Sequence, residues 1–153
     1  MDKIKNVAVI GAGLMGSGIA QVAAQAGFEV TVRDVNDEML DGARGKIEKK
    51  LNRAVEKGRL EKDEARAIMG RLRFTIALSE ALMDAQYVIE AVPENLELKR
   101  QIFTEIDRLA PDGAVLATNT SELSIASISG VTNRPDRVIG THWFFPPQIM
   151  KLI

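Results

Sequence analysis

Short apolar runs alternate with longer amphipathic ones from one end of the chain to the other. Val7-Ala8-Val9-Ile10 is continuous in the manner of a strand buried on both faces. The alanine-rich run Ile19-Ala20-Gln21-Val22-Ala23-Ala24 reads as a helix, and Gly27 is a good stop for it. Phe28-Glu29-Val30-Thr31-Val32 is a β-branched second strand. From Asp37 to about Lys57 the sequence is charged, and Met39, Leu40, Ala43, Ile47, Leu51 and Val55 recur at helical spacing. Gly58 breaks that pattern, and a second helix returns over 60–71. One helix is enough for a crossover between parallel strands, so the pair predicts a protruding helical hairpin inserted after strand two.

The remaining chain repeats the alternation. Strands are predicted at 72–76, 85–92, 114–118 and 137–142, with a brief helix at 79–83 and a longer one at 95–109. Pro93 stops the fourth strand, and Pro111-Asp112-Gly113 is a turn signal. A further helix is expected to begin near Glu122 or Leu123, and Met150-Lys151-Leu152-Ile153 reads as a strand just starting. With no repeat, linker or low-complexity tract, residues 1–153 are expected to form one α/β domain. Its predicted fold is a Rossmann-type doubly wound parallel sheet carrying the hairpin insertion.

Composition narrows the setting. Twenty basic residues against 21 acidic ones leave a formal charge of −1, which gives no electrostatic case for nucleic acid or an anionic membrane as partner. The absence of cysteine excludes disulfides, thiolate metal sites and a cysteine nucleophile, and no metal is expected. The amino end carries no signal-peptide pattern, and no apolar run approaches the ~20 residues that span a bilayer. A soluble cytoplasmic protein is therefore expected.

Gly11-Ala12-Gly13-Leu14-Met15-Gly16 lies between the first strand and the first helix, the context that gives a GxGxxG pattern its meaning. Gly11 would permit the tight turn, Gly13 would let a pyrophosphate approach the backbone, and Gly16 would let helix and strand pack closely. Asp34 lies 18 residues beyond Gly16, near the ~20 expected for an acid on the adenosine ribose. A carboxylate there favours NAD over NADP, although Arg33 beside it could accommodate a 2′-phosphate. The competing role for Asp34, with Asn36 and Asp37, is to cap the next helix.

In a doubly wound sheet ligands bind beyond the carboxyl ends of the strands. Asp34, Ala91-Val92-Pro93-Glu94, Asn119-Thr120-Ser121 and His142 all fall at predicted strand ends, hence on one rim. His142 is the one histidine, and histidine suits a base that takes a hydroxyl proton. Its structural alternative is packing beside Trp143-Phe144-Phe145. Ser121 could bond a substrate oxygen or a nicotinamide, or it could cap the following helix in competition with Asn119. Glu94 and Lys99 could be surface charges, but Glu94 lies near enough to the rim to meet a nicotinamide ribose. Lys46, Lys49, Lys50, Arg53 and Lys57 make the hairpin locally basic, a face that is either solvated or suited to a phosphate-bearing substrate.

Four ordered motifs resemble the L-3-hydroxyacyl-CoA dehydrogenases, of the 3-hydroxybutyryl-CoA dehydrogenase type, across essentially the whole chain. They are Gly11–Ala20, Glu90-Ala91-Val92-Pro93-Glu94-Asn95, Asn119-Thr120-Ser121-Glu122-Leu123-Ser124-Ile125, and His142-Trp143-Phe144 with Met150-Lys151-Leu152. The resemblance implies His142 as general base and Ser121 as contact to substrate hydroxyl and cofactor. It places Asp34, Glu94 and Lys99 in the NAD site with the glycine turn and Ala91. It also implies an acyl-CoA substrate, with the hairpin helping to hold the CoA and Lys57 matching the family's CoA-contacting lysine. Lys50 stands where some members have serine.

Two departures accompany the match. Phe145 occupies the position of the family's asparagine near the nicotinamide, and the glutamate that pairs with the family's histidine would fall at position 154, beyond Ile153. The chain is thus expected to be the NAD-binding domain of a longer, homodimeric enzyme, without the carboxyl-terminal helical domain that completes the substrate site. Alone it would bind NAD and turn over poorly. The rival expectations are a related hydroxy-acid dehydrogenase of the L-gulonate type, acting without CoA, and a non-catalytic dinucleotide-binding module.

Overall fold

The structure, a computed structural model, describes residues 4–150 and 153. Six strands alternate with helices in the order β1 (Asn6–Ile10), α1 (Leu14–Gln25), β2 (Glu29–Arg33), α2 (Asp37–Glu56), α3 (Lys62–Gly70), β3 (Leu72–Thr75), α4 (Leu78–Leu82), β4 (Tyr87–Glu90), α5 (Leu96–Leu109), β5 (Val115–Asn119), α6 (Ile125–Ser129) and β6 (Val138–Thr141). The strands form one sheet in the order β3-β2-β1-β4-β5-β6 with every neighbouring pair parallel. This is the doubly wound sheet that the apolar runs predict. The order reverses between β1 and β4, where the two halves of the winding part and a crevice opens.

Alternation along each strand builds two cores. Val7 and Val9 of β1, with Val30 and Val32 of β2, pack on one face against Ile19, Leu40, Ile47, Leu51 and Ile68 from α1, α2 and α3. Ala8, Ile10, Val88 and Leu116 turn to the other face, against Leu82, Phe103, Ile106 and Ile128 from α4, α5 and α6. Phe103 is completely enclosed, and truncating such a side chain to Ala typically costs about 3–5 kcal/mol.

The helical hairpin exists, but it protrudes less than the sequence suggests. Leu40, Ala43, Ile47 and Leu51 of α2 and Ala65 and Ile68 of α3 are all buried, so the pair roofs the β2–β3 half of the sheet. Asn36 caps α2 through its Oδ1, which accepts the Met39 N–H at 2.9 Å. Among the described residues no helix is long and apolar enough to cross a membrane. The strand expected at Met150-Lys151-Leu152-Ile153 falls mostly outside the described residues, and Met150 itself is not in a strand.

Candidate functional site at the carboxyl rim of the sheet

Register brings the strand ends level. Ile10 pairs with Arg33 on β2 and with Glu90 on β4, Glu90 pairs with Thr118, and Asn119 pairs with Thr141 on β6. The residues that follow each strand therefore emerge along one rim. Beyond it lies an open groove of about 710 Å³, lined by the glycine turn, Asp34, Ala91 and its neighbours through Glu94, Asn119 and Ser121.

The glycine turn is shaped by what a side chain would strike. Gly11 has φ +106°, and a Cβ there would stand 2.6 Å from the Ala91 carbonyl oxygen. A Cβ on Gly16 would fall on the Gly11 carbonyl, far inside van der Waals contact. At Gly13, by contrast, a Cβ would meet nothing within 4 Å, so its backbone faces open space in the groove. Gly13 is the N-cap of α1, and no side chain caps that helix. Its first N–H groups and the positive end of its dipole are left for an anion. Asp34 closes the turn from the β2 side: its carboxylate accepts the Ala12 N–H and the Val35 N–H, each at 2.6 Å. Since Asn36 makes the cap of α2, Asp34 is not its capping residue. Arg33 directs its Nε to the Ile76 carbonyl at 3.2 Å.

Several exposed apolar side chains in this otherwise polar rim belong to the same groove: Leu14, Val35, Met39 and Leu98. Met39, which helical spacing assigns to the buried stripe of α2, instead faces the groove with 41% of its surface exposed. A phosphate cradle, a carboxylate beside it and apolar walls flanking both fit an adenine dinucleotide on all three counts.

The other half of the rim is built from side chains. Ser121 Oγ and His142 Nε2 lie 3.0 Å apart, joining the end of β5 to the end of β6. The His142 ring stacks on Phe144 with centroids 4.6 Å apart. The Trp143 N–H donates to Asn119 Oδ1 at 3.2 Å, and the Trp143 ring packs against the first core. The segment beyond returns across α1, where Gln148 Nε2 donates to Gln21 Oε1 at 3.2 Å. Phe145 is largely exposed.

Glu94 holds Ser121 by its main chain. One carboxylate oxygen accepts the Ser121 N–H at 3.0 Å together with the Thr120 hydroxyl. Burial alone would raise the Glu94 carboxyl. The Thr120 hydroxyl, the Ser121 N–H, the Lys99 ammonium and the Glu122 N–H outweigh it and hold Glu94 below the usual carboxylate range.

Two expectations are corrected here. The helix predicted from Glu122 or Leu123 begins at Ile125, because Thr120 Oγ1 accepts the Leu123 N–H and turns the chain before Ser124 caps α6. Neither Ser121 nor Asn119 caps it, which leaves the Ser121 hydroxyl to His142. Lys99, assigned to the cofactor wall, is wholly buried behind it. Its Nζ lies 2.7 Å from Glu90 Oε1 and 3.4 Å from Glu94 Oε2, and donates to the Asn119 carbonyl at 3.1 Å. Lys57, assigned to the CoA, is exposed at the far end of α2, roughly 30 Å along that helix from Asn36.

Sequence reasoning missed Glu90 as a working group. Its two oxygens accept from Lys99 Nζ, the Val92 N–H and the Thr118 hydroxyl, each at 2.7 Å, the donor pattern of a carboxylate. Burial pushes the Glu90 carboxyl up, against the Lys99 ammonium and the Thr118 and Val92 donors. The signal was available, since a charge inside the apolar run Tyr87-Val88-Ile89-Glu90-Ala91-Val92 requires a buried partner.

Sheet topology, glycine turn and rim together define a dinucleotide-binding domain of the doubly wound dehydrogenase type. Residues 6–153 match the family model described as 3-hydroxyacyl-CoA dehydrogenase, NAD binding domain, and the chain belongs to that family. The chain is 45% identical over 151 residues to a protein of Bacillus subtilis named probable 3-hydroxybutyryl-CoA dehydrogenase, covering 99% of this chain and 52% of that one. A 3-hydroxybutyryl-CoA dehydrogenase of Mycobacterium tuberculosis is 44% identical over 153 residues, with 99% and 53% covered. The crystal structure of a 3-hydroxybutyryl-CoA dehydrogenase from Escherichia coli K12 superposes with a TM-score of 0.95 at 39% identity, over 98% of this chain and 32% of that one. The chain thus spans about half the length of the two curated relatives.

Proposed function

We propose that this domain binds NAD within a longer enzyme that interconverts an L-3-hydroxyacyl-CoA and the 3-ketoacyl-CoA. The observation that carries this reading is the Ser121 Oγ–His142 Nε2 contact of 3.0 Å on the same rim as the glycine turn. Ala12 through Gly16 would receive the pyrophosphate, and Asp34 the adenosine ribose. NAD, when bound, supplies the acceptor for the hydride leaving the alcohol carbon. His142 Nε2 takes the proton of the substrate hydroxyl, and Ser121 Oγ holds imidazole and hydroxyl in line. The reverse direction returns that proton to the ketone oxygen. The exposed Lys57 and its basic neighbours on α2 would meet the phosphates of CoA. The enzyme is read as a cytoplasmic homodimer assembled through a further helical domain.

NADH fluorescence titration tests the binding half: this chain is expected to bind, and a flat titration would sink the reading. In the longer protein His142→Ala should lower kcat by about 10²–10⁴ with little change in NADH affinity. Lys57→Ala should raise KM for the CoA substrate alone. Faster turnover of free sugar acids than of acetoacetyl-CoA would favour the L-gulonate type instead.

A further inference from the structure

We infer that Glu90 and Lys99 form a buried positioning pair that aligns Ser121 with His142 from beneath the rim, without touching a ligand. The inference rests on the reading of Ser121 and His142 as a working pair and adds to it a cause for their alignment.

Both side chains are completely enclosed, with Lys99 and Glu90 at 0% exposure. A buried ion pair of this kind is weak evidence for stability, since desolvating two charges offsets most of their attraction. A reason to keep one lies in where its bonds lead. The Lys99 ammonium spans three chain segments. It reaches Glu90 of β4, the Glu94 carboxylate beyond β4, and the Asn119 carbonyl at the end of β5. Each of the last two continues upward by one step. Glu94 accepts the Ser121 N–H, so it sets the main chain from which the Ser121 hydroxyl projects. Asn119 accepts the Trp143 N–H, so it sets the residue next to His142. A single ammonium thus governs both partners of the 3.0 Å contact through separate routes.

Glu90 is what lets the ammonium exist there. It neutralises Lys99 and is itself pinned by the Thr118 hydroxyl and the Val92 N–H on the two adjoining segments. Lys99 is the wrong residue for a direct cofactor contact, because no part of its side chain reaches the groove. It is the right one for a hub, because an ammonium has three protons to distribute in different directions.

The single histidine makes the test direct, since every imidazole nitrogen signal in the chain belongs to His142. The double variant Glu90→Gln with Lys99→Met removes both charges at similar volume, a change that folded proteins commonly tolerate. It is expected to stay folded and to shift the His142 nitrogen signals toward those of Ser121→Ala, with NADH affinity as little changed as in Ser121→Ala itself. A folded double variant with parental imidazole signals would overturn the inference. Should the double variant fail to fold, Glu90→Asp keeps both charges and withdraws the carboxylate from Lys99. Unmoved imidazole signals there assign the pair to the fold alone. A parental chain that binds no NADH would defeat the cofactor reading, while the imidazole signals still decide this one.

Discussion

At the β1–α1–β2 half of the rim the exposed polar groups are main-chain N–H groups laid bare by glycines, whereas at the β4–β5–β6 half they are side chains standing on a buried ionic bed. The first half is governed by steric exclusion. Its geometry depends on the absence of a Cβ at Gly11 and Gly16, whereas a Cβ at Gly13 would project into open space in the groove. The second half is governed by charge balance and by hydrogen bonds between residues far apart in sequence, such as Thr118 to Glu90 and Ser121 to His142. The two should therefore fail in different ways.

The largest effect is expected at Gly16. An added methyl would occupy the position of the Gly11 carbonyl oxygen, so Gly16→Ala must displace backbone rather than a flexible side chain. We expect a loss above about 4 kcal/mol in thermal or denaturant unfolding, the range reserved for severe structural conflict. Gly13→Ala meets no such obstacle. It should cost within about 1 kcal/mol of stability, as other exchanges at a helix N-cap do. NADH affinity should nonetheless fall roughly tenfold as the methyl enters the phosphate space. Gly16→Ala melting with the parent would break the steric account of this half.

Lys99→Met alone comes next. It leaves Glu90 buried without its counter-charge, and breaking one partner of such a pair typically costs about 3–5 kcal/mol. The neutral double variant should recover most of that loss. Lys99→Met melting above the double variant would show that the bed is not balanced by this pair.

That asymmetry also explains how much could be read beforehand. The strands, the hairpin and the glycine turn were legible because periodicity and glycine spacing are local signals, carried within a dozen or so residues. The place of Asp34 beside the turn was legible because its distance from it is set by a helix and a strand. The bed was not. Glu90, Thr118 and Lys99 lie on different elements, and only the level register of β4 and β5 brings them together. The same holds for Lys99, whose sequence position near the rim concealed that α5 points it inward. The helix expected from Glu122 or Leu123 starts later for a smaller reason: Ser121 and Asn119 are the candidate caps there, and the turn by which Thr120 carries the chain on to Ser124 has no periodic signal.

A third polar cluster serves as a control, since none of its residues lines the groove. Asp107 near the end of α5 accepts the Asn133 N–H and amide at 2.9 Å and Arg134 Nε at 2.8 Å. Burial would raise its carboxyl, but the Asn133 donors and the Arg134 guanidinium outweigh this and hold it below the usual range. A carboxyl depressed in the folded state contributes stability above its unfolded value, ~3.9, and that contribution is lost as pH falls through the folded value. Melting temperature should therefore decline below about pH 4. Arg134→Met should lower stability at pH 7 by about 1–3 kcal/mol and flatten the acid decline, with NADH affinity unchanged. A change in NADH affinity would mean that this cluster also supports the rim.

The smallest expected effect on stability is at Ser121, and its neighbour Thr120 shows why. The Thr120 hydroxyl donates to Glu94 and accepts the Leu123 N–H, so it joins β5 to the loop after β4 and shapes the turn before α6. Thr120→Val removes both bonds from a residue only 9% exposed and should cost about 1–3 kcal/mol. Ser121 is exposed, and its N–H remains on Glu94 when the hydroxyl is removed. Ser121→Ala loses only the contact to His142, in a position that water can reach, and should change stability by less than about 0.5 kcal/mol. Its imidazole nitrogen signals should nevertheless move, and in the longer enzyme kcat should fall while KM for NADH holds. Two adjacent hydroxyls thus divide the labour of this half of the rim, one in the bed and one above it. Equal losses of stability at Thr120→Val and Ser121→Ala would erase that division and return Ser121 to the fold.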